Sequence, residues 1–128
     1  MTKFSAVILA AGSGTRMKSE IPKVLHKLSG KTLIGRVIDS LSKLKPDNIV
    51  VILGHKCELV EKSLEGLNIK IVYQREQLGS AHALMQAESV LKNYKGSILA
   101  ISGDVPLIKS STLSALIRHN SKNKNSAT

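Results

Sequence analysis

Short runs of aliphatic and β-branched residues alternate along this chain with longer stretches whose apolar side chains recur every three or four positions. Phe4-Ser5-Ala6-Val7-Ile8-Leu9 is nearly unbroken in its apolar character and predicts a buried strand. From Thr32 to Leu44 the apolar residues Leu33, Ile34, Val37, Ile38, Leu41 and Leu44 keep a helical period, which Lys45-Pro46-Asp47-Asn48 ends. Ile49–Leu53 predicts a second strand closed by Gly54. Leu59, Val60 and Leu64 mark a second helix ending near Gly66, and Ile69–Tyr73 a third strand. Ala81–Leu91 predicts a third helix with Ser80 as its N-cap, Ser97–Ile101 a fourth strand, and Ser110–His119 a fourth helix. The polar stretch from His119 to Thr128 predicts a tail, loose over 120–128.

Strands alternating with helices imply an α/β fold: a Rossmann-like, mostly parallel sheet with right-handed crossovers and helices on both faces. Sheets of this kind bind ligands beyond the C-terminal ends of their strands, where the strand order reverses. The loops after Leu9, Tyr73 and Ile101 therefore carry the interest, and all three hold unusual polar residues. Neither an internal repeat nor a linker divides residues 1–128, which read as a single domain, an expectation that the length of 128 supports.

Composition narrows the partners. With 2% aromatic residues the core must be aliphatic, and there are few platforms on which bases could stack. The net charge of +10 suits an anionic ligand, but the cations are spread along the whole chain, so no nucleic acid is expected. No apolar run approaches the roughly 20 residues of a membrane span, and no membrane is expected. The N-terminal apolar run fits a first strand better than a signal peptide. Cys57 is the single cysteine and cannot form an internal disulfide, which favours a reducing compartment and a cytoplasmic location. Among His55, Lys56 and Glu58 it reads as a bland thiol rather than a nucleophile. His26, His55, His82 and His119 lack metal-ligand spacing, and no Gly-x-Ser-x-Gly elbow occurs.

Three loops carry chemistry. In the first, Leu9-Ala10-Ala11-Gly12-Ser13-Gly14-Thr15-Arg16-Met17 leads on to Pro22-Lys23. Glycines let the backbone approach a ligand and turn N–H groups toward it, and Arg16 and Lys23 add positive charge, so this loop reads as a triphosphate cradle. It is not a Rossmann dinucleotide fingerprint, because Met17 stands where the third glycine belongs. Gly30-Lys31-Thr32 is not a P-loop, because Leu25 replaces the required glycine, and it reads as a plain turn. The second loop is Gln74-Arg75-Glu76-Gln77-Leu78-Gly79-Ser80-Ala81-His82-Ala83. Its Gln74 amide offers both a donor and an acceptor, as the edge of a pyrimidine does. Gly79 and Ser80 offer free N–H groups at a helix start. His82 reads either as a ligand contact or, with a slight preference, as a buried histidine bonded to backbone. The third loop, Ser102-Gly103-Asp104-Val105-Pro106-Leu107, places a carboxylate at a strand end, where phosphoryl-transfer sites hold magnesium.

Together these motifs resemble the sugar-nucleotide pyrophosphorylases, and most closely the uridyltransferase domain of their N-acetylglucosamine-1-phosphate branch, from about Ala6 to Leu116. The resemblance implies the nucleotide-diphospho-sugar transferase fold. It implies that Leu9, Ala10, Ala11, Gly12, Gly14 and Thr15 bind nucleotide, with Gln74, Gly79 and Ser80 reading uracil. It further implies that Arg16 and Lys23 are catalytic, with Lys23 bridging the phosphates of nucleotide and sugar, and that Asp104 holds Mg2+. The implied substrates are UTP and a sugar 1-phosphate, N-acetylglucosamine 1-phosphate, with pyrophosphate released.

Two departures stand beside it. Ser102 replaces the aromatic residue that usually precedes Gly-Asp, which predicts a lost packing contact near the nucleotide. The length matches only the first half of such a catalytic domain, so the fold is expected to be truncated, without the sugar half and a second metal ligand. Weak or absent turnover is the expectation, together with an exposed strand edge and self-association. A non-catalytic nucleotide- or partner-binding remnant, or a transferase using another base, remain the alternatives.

Overall fold

The computed structural model describes residues 3–11, 21–54, 57–76 and 78–128. Its four-stranded sheet is built from β1 (Phe4–Ala10), β4 (Ile49–Leu53), β5 (Lys70–Tyr73) and β6 (Ser97–Ser102). The order across the sheet is β5-β4-β1-β6, and every pair is parallel. β1 is therefore central, with Val7 registered against Val50 on one side and Ala100 on the other. Burial runs unbroken from Phe4 to Ile8 and through all of β4, as expected of strands covered on both faces.

Successive strands step one way from β1 to β4 to β5 and then return past β1 to β6. Right-handed crossovers then place the connecting helices on opposite faces. On one face α1 (Leu33–Ser42), α2 (Glu58–Ser63) and α5 (Ser110–Lys122) cover Phe4, Ala6, Ile8, Val51, Leu53, Leu99 and Ile101. On the other, α3 (Ser80–Met85) and α4 (Glu88–Leu91) cover Val7, Val50 and Ile52 through Ala83, Ala87 and Leu91. The expected layering of helices on both faces of a parallel sheet is what the structure shows.

The residues explain the boundaries. α1 begins where the Thr32 hydroxyl accepts the Gly35 N–H at 3.1 Å, an N-cap that Ser and Thr commonly provide. The Gly30 segment is indeed a turn. It joins the two short strands β2 (Lys27–Leu28) and β3 (Lys31–Thr32), with Ser29 and Gly30 both at positive φ, the twist that tight hairpins require. The helix expected over Ala81–Leu91 is two shorter ones. At the break, Gln86 and Ala87 donate to carbonyls only three residues back, so the coil tightens. Its N-cap is Gly79 rather than Ser80, which is the first helical residue. α5 runs to Lys122, so residues expected at the start of the tail are helical.

β5 and β6 are the edges of this sheet. On β6 the helix-free face is bare: Ile98 is 51% exposed, and Ala100 and Ser102 are exposed with it. Among the described residues no helix is long and apolar enough to cross a membrane.

Leu41 is fully buried at the centre of the α1 contact with the sheet. We expect Leu41→Ala to lower unfolding free energy by about 2–5 kcal/mol in urea titrations, through lost burial and the cavity left behind.

Candidate active site

All four parallel strands end on the same side of the sheet, so Ala11, Gly54, Gln74 and Gly103 follow their strands at one rim. Backbone bonds tie this rim together: the Gln74 N–H donates to Leu53 O at 2.7 Å, and the Gly103 N–H to Leu9 O at 3.0 Å. A side chain at position 103 would not fit easily. Its Cβ would lie 3.2 Å from Val24 Cγ1 and 3.4 Å from Ile8 Cγ2. Glycine thus allows the β6 loop to close over the end of β1 and delivers Asp104 to it.

Lys23 reaches the same place by another route. Pro22 sets an extended entry to a single 3-10 turn, Lys23–Leu25, whose Val24 is buried in the core. With Val24 anchored, the Lys23 Nζ lies 2.9 Å from Asp104 Oδ2. The Ser102 hydroxyl donates to the other oxygen, Oδ1, at 2.5 Å. The Ser102 bond, then the Lys23 ammonium, hold the Asp104 carboxyl below its usual value of 3.8. A carboxylate and a cation from segments far apart in sequence are thus paired and partly open, at 30% and 47% side-chain exposure.

The base-loop candidates form a second cluster. Gln74 is 3% exposed. Its Nε2 donates to His82 Nδ1 at 2.9 Å and to Gly79 O at 3.3 Å. Gly79 adopts φ 100°, a region open essentially to glycine, and opens α3 with Ser80 following. Nothing lies within 4 Å of where a Gly79 Cβ would be, so conformation and not crowding requires glycine there. His82 is half-buried, and its ring meets the side-chain amides of Gln74 and Gln86 rather than backbone, contrary to the reading of a buried histidine on main chain. Ala83 of α3 packs in one cluster with Ala11 and Val7, which brings this loop to the β1 end.

Of the first loop, Leu9 and Ala10 are half-buried and Ala11 is buried at the end of β1. Gly12, Gly14, Thr15 and Arg16 lie outside the described residues, so their expected contact with phosphates has no geometry here. Among the described residues no group of three or more His, Cys, Asp or Glu could hold a metal ion. Asp104 offers a carboxylate at this rim, and an ionised, partly open oxygen donor fits a metal that takes one or two protein carboxylates and completes its shell with phosphates and water. Burial and then Glu58 and Glu61 push the Cys57 pKa up, which disfavours the thiolate. Sequence reading missed the positive role of Ser102, although a Ser two residues before an Asp is within local hydrogen-bond reach.

This combination of a parallel sheet and polar loops gathered at the end of its central strand is that of a nucleotide-processing α/β domain. The sequence matches the MobA-like NTP transferase domain over residues 6–128, and the chain belongs to that family. It is 52% identical over 116 residues to the bifunctional protein GlmU of Zymomonas mobilis, covering 89% of this chain and 26% of that protein. Against the bifunctional protein GlmU of Streptococcus gordonii it is 49% identical over all 128 residues, or 28% of that protein. The chain thus spans little more than a quarter of the length of these relatives, matching their N-terminal part. Its fold is shared with a nucleotidyl transferase from Methanothermobacter thermautotroptrophicus (Mth528), with a TM-score of 0.76 and 28% identity, covering 91% of this chain and 57% of that one.

Asp104 gives a pH test. A depressed folded pKa contributes stability above the unfolded value, and that contribution is lost as pH falls through the folded one. Ser102→Ala should raise the Asp104 titration midpoint in carboxyl-detected NMR, because it removes the strongest single hydrogen bond that depresses it. An unchanged midpoint would show that the hydroxyl does not act on the carboxylate in solution.

Proposed function

We propose that this chain is the nucleotide-binding part of a uridylyltransferase, binding UTP with magnesium for transfer to a sugar 1-phosphate, N-acetylglucosamine 1-phosphate. The observation that carries the proposal is the convergence of Lys23, Asp104 and the Gln74–Gly79 loop on one end of the sheet. The sugar-nucleotide motifs along the same loops and the match to GlmU support it.

In this reading Leu9, Ala10, Ala11, Gly12, Gly14 and Thr15 hold the nucleotide, Gln74, Gly79 and Ser80 read the base, and Asp104 holds the metal. Bound magnesium supplies charge neutralisation on the triphosphate. The attacking phosphate oxygen of the sugar is already ionised at neutral pH, so no general base is needed. A new bond forms from that oxygen to the α-phosphorus of UTP, the bond from that phosphorus to the bridging oxygen breaks, and pyrophosphate leaves with the electron pair. Lys23 and Arg16 lower the repulsion between the two anions and align them. Alignment of this kind is worth roughly 7–11 kcal/mol in favourable cases. Phosphates would draw the Lys23 ammonium out of its pair with Asp104, whose carboxylate would then be open to hold the metal. A cytoplasmic setting, where such substrates are found, completes the reading.

Calorimetric titration of the 128-residue chain tests it. Magnesium-dependent binding that prefers UTP over CTP and GTP is expected, and a folded chain without that preference would refute the proposal. Where turnover is measured, Lys23→Ala and Asp104→Ala should each reduce kcat on the order of 100-fold, as lost transition-state charge stabilisation does, with much smaller changes in nucleotide affinity. Equal losses in both quantities would contradict the assigned roles.

The bare face and edge of β6 also support self-association. Light scattering should show mass rising with concentration, and less so for Ile98→Lys. A monomer at all concentrations would remove this part of the proposal.

A further inference from the structure

We propose that His82 is a positioning residue that fixes the orientation of the Gln74 amide, so that only its carbonyl oxygen is left to meet a ligand and the loop selects a nucleobase carrying a ring N–H. This rests on the proposed reading of Gln74, Gly79 and Ser80 as the base site, and it replaces the view of Gln74 as both donor and acceptor with a directional one.

The argument begins at Gly79. Its carbonyl can only accept, and it already takes the Ala83 N–H at 3.0 Å. The Gln74 side-chain atom 3.3 Å away is therefore the amide nitrogen. The same nitrogen lies 2.9 Å from His82 Nδ1. That ring nitrogen must accept, which puts the ring proton on Nε2. The opposite tautomer would need the Gln74 amide reversed, setting its oxygen against the Gly79 carbonyl, two acceptors face to face. What would favour that tautomer is a bond from Gln86 Nε2 to His82 Nε2, but this contact is 3.4 Å long, and Gln86 Nε2 also donates to His82 O at 3.1 Å. The shorter contact and the fixed carbonyl agree on one arrangement.

Two amide hydrogens then serve two internal acceptors, so neither is free for a ligand. Among the described residues no donor meets Gln74 Oε1, so the remaining capacity is that of an acceptor. Uracil carries a hydrogen on its ring N3 and can donate to it. Cytosine has a lone pair at the same ring position and meets it acceptor to acceptor. Sites built around a committed polar group discriminate in this way, because the wrong partner leaves buried capacity unpaired.

Titration of UTP and CTP, each with magnesium, into the wild-type chain, His82→Ala and His82→Asn tests the proposal. Loss of the Nδ1 acceptor frees the amide to turn, so His82→Ala should lower the UTP-to-CTP preference about tenfold, the effect of one such hydrogen bond. The Oδ1 of His82→Asn can stand near the Nδ1 position and should restore most of the preference. Long-range 15N–1H spectra of the wild-type chain should show the His82 proton on Nε2, a readout independent of any variant's folding. A ring proton on Nδ1, or an unchanged preference in a folded His82→Ala, overturns the role of His82. A wild-type chain with no UTP preference instead overturns the base-site reading beneath it, with the tautomer still in evidence.

Discussion

The backbone pairing that holds β1 between β4 and β6 is the constraint on which the site depends. An apolar strand buried on both faces can satisfy its N–H and C=O groups only by pairing on both sides, and β1 does so in parallel with both neighbours. Because all the strands run the same way, their following loops share one rim. Because the chain steps from β1 toward β5 and then returns past β1 to β6, the ends of β1 and β6 are neighbours although far apart in sequence. The Gly103 N–H to Leu9 O bond is the last rung of that arrangement, and Asp104 stands one residue beyond it. Placement of the carboxylate is thus a result of sheet topology, reinforced by a glycine that the packing of Val24 and Ile8 would crowd if it carried a side chain.

Electrostatics at the rim follow from that placement. A carboxylate brought near a core-anchored lysine takes it as a partner, and Ser102 occupies the second oxygen. Both charged groups keep substantial exposure, so water screens the pair and its net contribution to stability is small. Weak mutual hold suits groups whose proposed ligands are of opposite charge to each of them. The pair keeps both side chains ordered and pointed at the β1 end without binding either so firmly that phosphate or a cation could not displace it.

Much of this was legible in the sequence because it depends on local patterns. The continuous apolar runs of β1 and β4, the period of α1 and the punctuation by Gly54 and Gly66 translate directly into elements, and their alternation into a parallel sheet. What the pattern could not carry was set by contacts between distant segments or by single hydrogen bonds. The split of the third helix turns on carbonyl geometry at Gln86 and Ala87, which periodicity does not encode. Gly79 takes the N-cap from Ser80 because its left-handed φ lets the chain turn into α3 there. Ser102 reads in sequence as the loss of an aromatic contact, whereas its hydroxyl meets a carboxylate two residues on. The pairing of Lys23 with Asp104 needs the whole crossover to exist first.

The two halves of the site are built on different physical terms, and the difference matches the work proposed for each. On the base side, Gln74 is buried, and its amide is committed to a carbonyl and a ring nitrogen within the fold. A group held this way is fixed before any ligand arrives, so it costs little ordering on binding and discriminates by what it refuses. On the phosphate side, Lys23 and Asp104 are partly open and hold each other through a screened ion pair. Groups held this way can change partners as charge moves during a transfer. Recognition of a base calls for the first kind of construction and handling of phosphates for the second, and the parallel sheet brings the two to one rim without making either depend on the other's chemistry.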